Sequence, residues 1–334
     1  MLNDVVGSAL DNVFNAVLNE ALENVFNAVL NEALENARVR IVLRRIKLTV
    51  AYDGTGYSGW QYQPEKNTIE GVLNGELSRL LNEEIKVIGA SRTDAGVHAE
   101  GAVCVFDTSS RIPGEKFSYA LNQSLPEDIV IRKSEEVAPD FHPRKVPTKK
   151  TYRYSIWHDE FPQPTNSRYT HWVYTDLDVE AMQEAAGYFE GEHDFVGFCS
   201  ANTQAETTVR TIYNMHVRVG GFENAVGKVD FENVVGEAGF ENVVGEAGIE
   251  NVVGDVGRFA NSGRRNYNGR IDIYVTGNGF LYNMVRIIAG TLIEVGQGKI
   301  KPSEIPGIIE SGDRQLAGNT APAKGLTLMK YEMN

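Results

Sequence analysis

The chain has 334 residues, 42% apolar and 23% charged, with a formal net charge of −13. That is the composition of a soluble globular protein with a sizeable core. No stretch approaches the ~18 uncharged apolar residues of a membrane span, and the N-terminus lacks the basic start of a secretion signal, so a cytoplasmic location with no membrane partner is expected. Two cysteines, Cys104 and Cys199, lie outside any CxxC or Cys/His spacing. They support neither a disulfide framework nor a zinc site and read as buried thiols.

In chain order, the first feature is a repeat: "NVFNAVLNEALE" at residues 12–23 recurs unchanged at 24–35. Its composition favours helix, but its apolar pairs recur every four residues, so the stripe drifts round the helix axis. Residues 1–38 are therefore read as a helical extension, although such a stripe also suits a wrapped or oligomeric contact. A second repeat, four nonapeptides from "FENAVGKVD" to "IENVVGDVG", fills residues 222–257. Residues 1–37 carry six acids and no base, and 221–257 carry eight acids and one lysine, which accounts for the whole net charge of −13. The remaining 260 residues hold 31 acidic and 31 basic side chains, so the body is charge-balanced and the repeats read as acidic additions.

Within the body, "RIVLRRIKLTVAYDG" (40–54) predicts a strand ending in a turn, and "TIEGVLNGELSRLLNEE" (68–84) a helix capped by Thr68. "IKVIGA" (85–90) and "GAVCVFDT" (101–108) predict strands either side of a glycine-containing loop. A helix is predicted over 116–125, and strands over 128–137 and 150–158. Then come a helix over 178–189, strands over 212–219 and 270–277, and a helix over 280–296. A shorter helix from about Ser303 closes the chain. Strands adjoin in sequence without regular βα alternation, which points to an α+β fold with a mostly antiparallel sheet flanked by helices.

"GTGYSG" (54–59) is a literal GxGxxG directly after a strand. A dinucleotide fingerprint must open a helix, and here the chain continues "WQYQPEKN" with Pro64, so a nicotinamide or flavin site is excluded.

"SRTDAGVHA" (91–99) packs Arg92, Asp94, Gly96 and His98 into one connector. Presented by two rigid strands, such a loop suits a catalytic carboxylate; an isolated Arg-x-Asp is equally a surface ion pair of little energetic weight. The company Asp94 keeps decides between them. "AYDGTGYSGWQYQ", "SRTDAGVHAEGAV", "LNQSLPEDI", "FHPRKVPTKKTYRY", "GEHDFVGF", "TVRTI" and "GFLYNMVRIIAGTL" follow one another in that order. From Ile46 to Glu332, interrupted by the nonapeptides, the chain resembles the TruA-type tRNA pseudouridine synthases.

The resemblance implies two RNA-recognition-like (ferredoxin-like) halves, 39–145 and 146–334, the second interrupted at 221–257. It implies isomerisation of uridine to pseudouridine at positions 38–40 of the tRNA anticodon arm, without metal or cofactor, by a homodimer that binds tRNA across both subunits. Carried over residue by residue, Asp94 is the catalytic aspartate and Arg92 helps evert the target base. Tyr152 stacks on the uracil, and Arg286 pairs with the aspartate. Activity on another tRNA or RNA position, or tRNA binding without catalysis, are the alternatives.

The chemistry fits these residue types. Moving C1′ from N1 to C5 of uracil needs a carboxylate acting as nucleophile or base while positive character develops on the sugar, with no change of redox state. A stem uridine must be flipped out, which calls for a wedge and an aromatic platform. By its position on a predicted helix, Arg286 either holds Asp94 ionised or is an ordinary surface arginine. His98, without a visible partner, reads as structural, as does the His193–Asp194 pair in "GEHDF". Tyr57, Trp60 and Tyr62 stack on RNA or pack a core. The basic runs "RIVLRRIK", "PRKVPTKK" and "GRRNYNGR" offer charge to phosphates.

Overall fold

A computed structural model describes residues 18, 20–30, 43–200, 205–219 and 269–333. The nonapeptide segment and half of the N-terminal repeat lie outside these residues. By their contacts, residues 1–44 and 45–334 form separate units. In the first, residues 20–30 are helical, as the repeat's composition predicts, and expose Leu22, Val25, Phe26 and Val29.

The second unit is built on one ten-stranded sheet flanked by helices. Strands β1 (Arg44–Tyr52), β3 (His98–Thr108) and β4 (Ile129–Val137) form one side, in the order β4-β1-β3, with the short β2 (Ile88–Gly89) paired to β3. Strands β5 (Thr148–His158), β9 (Gly269–Gly277), β8 (Val209–Val219) and β7 (Gly191–Asp194) form the other, and β6 (His171–Val173) pairs with β5. The two sides meet through β10 (Leu326–Met333), parallel to β3 and antiparallel to β5. Except for the β10–β3 and β5–β6 pairs, the registered pairings are antiparallel.

The helices form where capping and periodicity coincide. α1 (Ile69–Leu81) starts at Thr68, whose Oγ1 accepts from the Gly71 N–H, and stops at Asn82 in the left-handed region. Its fully buried Ile69, Leu73 and Leu77 recur every four residues, each such side chain contributing about 1.5–3 kcal/mol. α2 (Phe117–Leu121) is shorter than its predicted span, and α3 (Val179–Gly187) is capped by Asp178. α4 (Met284–Gly296) is the core helix, with eleven of its residues buried, and α5 (Ile305–Ser311) follows.

Three departures from the predicted elements have local causes. The strand expected over 85–90 shrinks to Ile88–Gly89 because α1 side chains take its backbone donors: Ile85 N–H bonds to Ser78 Oγ and Val87 N–H to Asn74 Oδ1. β3 begins at His98, so that histidine belongs to the strand rather than the loop. β10, absent from the predicted elements, is central; its pairing with β5 slips between Leu328 and Lys330, which breaks the alternation that marks a strand.

Candidate active site

The loop between β2 and β3 presents Asp94 half-buried at a cleft of about 770 Å³. It is braced from behind by the glycine-rich stretch that fails as a nucleotide fingerprint. Trp60 N–H donates to the Thr93 carbonyl at 3.1 Å, and Gly96 N–H to the Tyr57 carbonyl at 3.3 Å. Tyr52 Oη and Thr93 Oγ1 share a buried hydrogen bond of 2.8 Å. Gly59 has φ +91°, and a Cβ there would stand 2.8 Å from the Thr93 carbonyl oxygen. Only glycine lets the two backbones approach so closely without strain.

Arg92, Asp94, Tyr152 and Arg286 all line this cleft, brought together from the β2–β3 loop, β5 and the first turn of α4. Arg286 Nη1 lies 3.4 Å from Asp94 Oδ2 and donates to it. The same guanidinium is anchored twice more, Nε donating to the Ala321 carbonyl and Nη1 to Asn283 Oδ1, each at 2.7 Å. Asn283 is the left-handed N-cap of α4, with φ 62°, and its Nδ2 donates to Ser200 Oγ at 2.8 Å. Burial pushes the Asp94 carboxyl above the usual carboxylate range, and the Arg286 charge and hydrogen bond oppose that rise.

Tyr152 is buried at the cleft wall, edge-on to Phe280 with ring centroids 5.2 Å apart. Burial pushes its phenol up to about 12, against a hydrogen bond to Ser91 and with the Asp94 charge adding to the rise. It therefore stays protonated and offers a ring, not a base. Arg92 is exposed at the cleft.

The other sequence candidates lie apart from this constellation. His98 is buried, accepts from Gly54 N–H at Nδ1 and sits 3.1 Å from the Arg168 carbonyl through Nε2. Nδ1 also lies 3.1 Å from Asp53 Oδ1, and burial lowers the ring's pKa; tied to Gly54, Asp53 and Arg168, His98 has a structural place. His193 Nε2 bonds to the Glu190 carbonyl while Asp194 Oδ1 accepts from Val196 N–H, so the two form no dyad. Tyr57 and Trp60 are core residues, Tyr57 Oη donating to Asp128 at 2.6 Å, whereas Tyr62 is exposed. Cys104 and Cys199 are free and buried. The basic runs divide: Arg45 and Lys47 pair with Asp107 and Glu135, while Arg144 and Lys150 reach the cleft. Phe280 and Asn283 were not singled out from sequence, and Lys150 was marked only as part of the basic run "PRKVPTKK". Asn283 falls inside the helix predicted over 280–296, so nothing in the pattern marks it as the N-cap.

A family model described as tRNA pseudouridine synthase matches residues 48–144 and 185–333. The chain belongs to the tRNA pseudouridine synthase family. It is 45% identical over 288 residues to tRNA pseudouridine synthase A of Ruminiclostridium cellulolyticum, covering 86% of this chain and 99% of that one. Identity to tRNA pseudouridine synthase A of Brevibacillus brevis is 43%, over 86% and 98% of the two chains. For tRNA pseudouridine synthase A 2 of Clostridium perfringens it is 42%, over 86% and 99%. As a tRNA pseudouridine synthase the protein is an isomerase that modifies tRNA, and its α+β sheet fits that family. Among the described residues, no helix is long and apolar enough to cross a membrane, and no three His, Cys, Asp or Glu side chains gather as a metal site.

Proposed function

We propose that this pseudouridine synthase acts on uridines 38–40 of the tRNA anticodon arm, as a cytoplasmic homodimer, with Asp94 as its catalytic residue. The observation that carries this reading is the charge of the cleft. Among the described residues its lining includes five cationic side chains, Lys66, Arg92, Arg144, Lys150 and Arg286, around one carboxylate, Asp94. A chain of net charge −13 thus offers a polyanion a basic groove with one acid inside it.

In this reading the target uridine leaves its stack and enters the cleft, Arg92 filling the space it vacates and Tyr152 lying against the uracil ring. Asp94, ionised beside Arg286, acts as nucleophile or base while C1′–N1 breaks. The freed uracil turns, C1′–C5 forms, the C5 proton departs and N1 regains one. No electrons are exchanged with any partner. The organisation into halves 39–145 and 146–334, and the dimer, follow the TruA-type pattern.

The test is to incubate the protein with tRNA transcripts carrying uridine at 38, 39 or 40 and map pseudouridine at single-nucleotide resolution. Product confined to those positions supports the reading; product elsewhere in the tRNA overturns the positional part. Wild-type levels of product from Asp94→Ala overturn the catalytic assignment.

A further inference from the structure

Lys150 is the least explained charge of the cleft. It projects from β5 two residues before Tyr152, on the same face of the strand, so the two lie roughly 7 Å apart along the cleft wall. Its ammonium rests 5.5 Å from the centre of the Tyr331 ring, and Tyr331 is its register partner on β10. On β9 its partner is Gly277, which offers no side chain.

Two further cations act on it: Arg144 on the cleft wall, and Arg210, two residues before the Ile212 that pairs with the same Gly277. Arg144 lines the same cleft, its Nε fixed on the Gly89 carbonyl at 2.7 Å. Tyr331 Oη, bonded to the Pro143 carbonyl at 2.7 Å, ties that segment beside Lys150. Arg210, at the start of β8, is fixed through Nη1 on the Thr207 and Val209 carbonyls at 2.8 and 2.6 Å. Among the described residues no carboxylate forms an ion pair with Lys150, Arg144 or Arg210, whereas Arg45, Lys47 and Arg286 each have one. Burial and the charges of Arg210 and Arg144 push the Lys150 ammonium down to about 8, so it remains largely charged at neutral pH. A partly desolvated cation beside two others, with no acid to meet it, is unfavourable in the free protein. It becomes favourable once a ligand supplies the anion.

We infer that Lys150, Arg144 and Arg210 form a subsite for a backbone phosphodiester of the bound RNA, one nucleotide's reach from the ring of Tyr152. Arg144 and Arg210 are held by backbone carbonyls and so are oriented before RNA arrives; Lys150 adds a third, point-like charge. The subsite positions the strand and reads no base. It rests on the proposed cleft as the RNA site, but not on which uridine is modified.

The experiment is equilibrium binding of a labelled, unmodified tRNA transcript over a series of KCl concentrations, alongside steady-state kinetics. Lys150→Met keeps the apolar stem over Tyr331 and removes the charge. It is expected to reduce the slope of log affinity against log salt by about 0.7–0.9 and to raise KM rather than lower kcat. Lys150→Arg is expected to restore the slope. Arg210→Gln, on an outer strand, is expected to reduce it similarly and guards against a folding defect confined to one variant. Inorganic phosphate, added against chloride at equal ionic strength, competes with tRNA in wild type and less in Lys150→Met. An unchanged salt slope in both charge-removing variants overturns the subsite, as does a loss confined to kcat. Binding is read wherever pseudouridine forms, so failure of the positional assignment leaves this result distinct.

Discussion

Arg286 Nη1 stands 3.4 Å from Asp94 Oδ2, joining residues 192 positions apart in sequence. The contact is longer than the 2.7 Å bonds that fix the same guanidinium to Asn283 and Ala321. Arg286 is therefore a mounted charge: its place is set by the protein, and the carboxylate remains the looser member. A nucleophile or base needs that freedom, because an oxygen engaged in a short bidentate pair would be poorly disposed to react.

Removing that charge should move the pH profile. Burial already raises the Asp94 pKa and Arg286 opposes the rise, so Arg286→Met leaves burial unopposed. If Asp94 is the catalytic group proposed above, the acidic limb of kcat/KM is expected to shift to higher pH. Arg286→Lys should shift it less. An unmoved limb in Arg286→Met would show that the two side chains are not coupled. Asp94→Asn is expected to lose about 10²- to 10⁴-fold or more in kcat at every pH.

Asn283 makes two separable contributions, one of backbone and one of side chain. Its φ of 62° suits asparagine or glycine, and its amide holds both Arg286 and Ser200. Asn283→Gly keeps the backbone and loses the mounting: Tm should change little, while kcat falls by about tenfold, the equivalent of one good hydrogen bond. Asn283→Ala should lose the same activity and also about 1 kcal/mol of stability, read by thermal unfolding. Equal Tm values for the two variants would refute the backbone half.

Much of this site was legible in the sequence because its residues sit in short local motifs. "SRTDAGVHA" fixed attention on Asp94, and "KTYRY" and "NMVR" supplied Tyr152 and Arg286 through the family resemblance. What brings them together was not legible. The meeting depends on β10, whose apolar alternation is broken by a register slip, and on α4 starting at Met284 behind a left-handed Asn283 rather than running from residue 280. Likewise, no pattern reveals that "GTGYSG" is a bracing surface, since the need for Gly59 arises from Thr93, more than thirty residues away.

That bracing is testable. Gly59→Ala places a Cβ 2.8 Å from the Thr93 carbonyl oxygen at a φ of +91°. The cost is expected to be about 1–3 kcal/mol, seen as a lower denaturation midpoint. Because the displaced carbonyl belongs to the residue preceding Asp94, kcat should fall as well, even at temperatures where the variant is fully folded. A stability loss with normal kcat would mean that the loop absorbs the shift without moving Asp94.

The 12-residue repeat precedes the family match, which begins at residue 48, whereas the nonapeptides fall within its second matched stretch, 185–333. Deleting 221–257 removes eight acids and one lysine. Catalysis on tRNA should survive, with kcat within about threefold, and tRNA affinity should rise modestly at low salt as a negative field is removed. Complete loss of activity would assign the nonapeptides a part in the enzyme.

The last expectation concerns alkaline pH, where Lys150 titrates. Its pKa is lowered to about 8 by burial and by the charges of Arg210 and Arg144, and the ring beneath it, Tyr331, has its own pKa raised by burial. Below pH 8 the ammonium is charged; above it the charge is lost, while both arginines keep theirs. If it meets a phosphodiester, tRNA affinity should be level from pH 6.5 to 7.5 and fall as pH rises through about 8. RNA binding favours the charged form, so the midpoint in the complex should lie higher than in the free protein. Lys150→Arg should abolish this fall, because a guanidinium does not titrate there. Affinity measured by filter binding in buffers of matched ionic strength decides it: a decline in wild type that persists in Lys150→Arg would place the titrating group elsewhere.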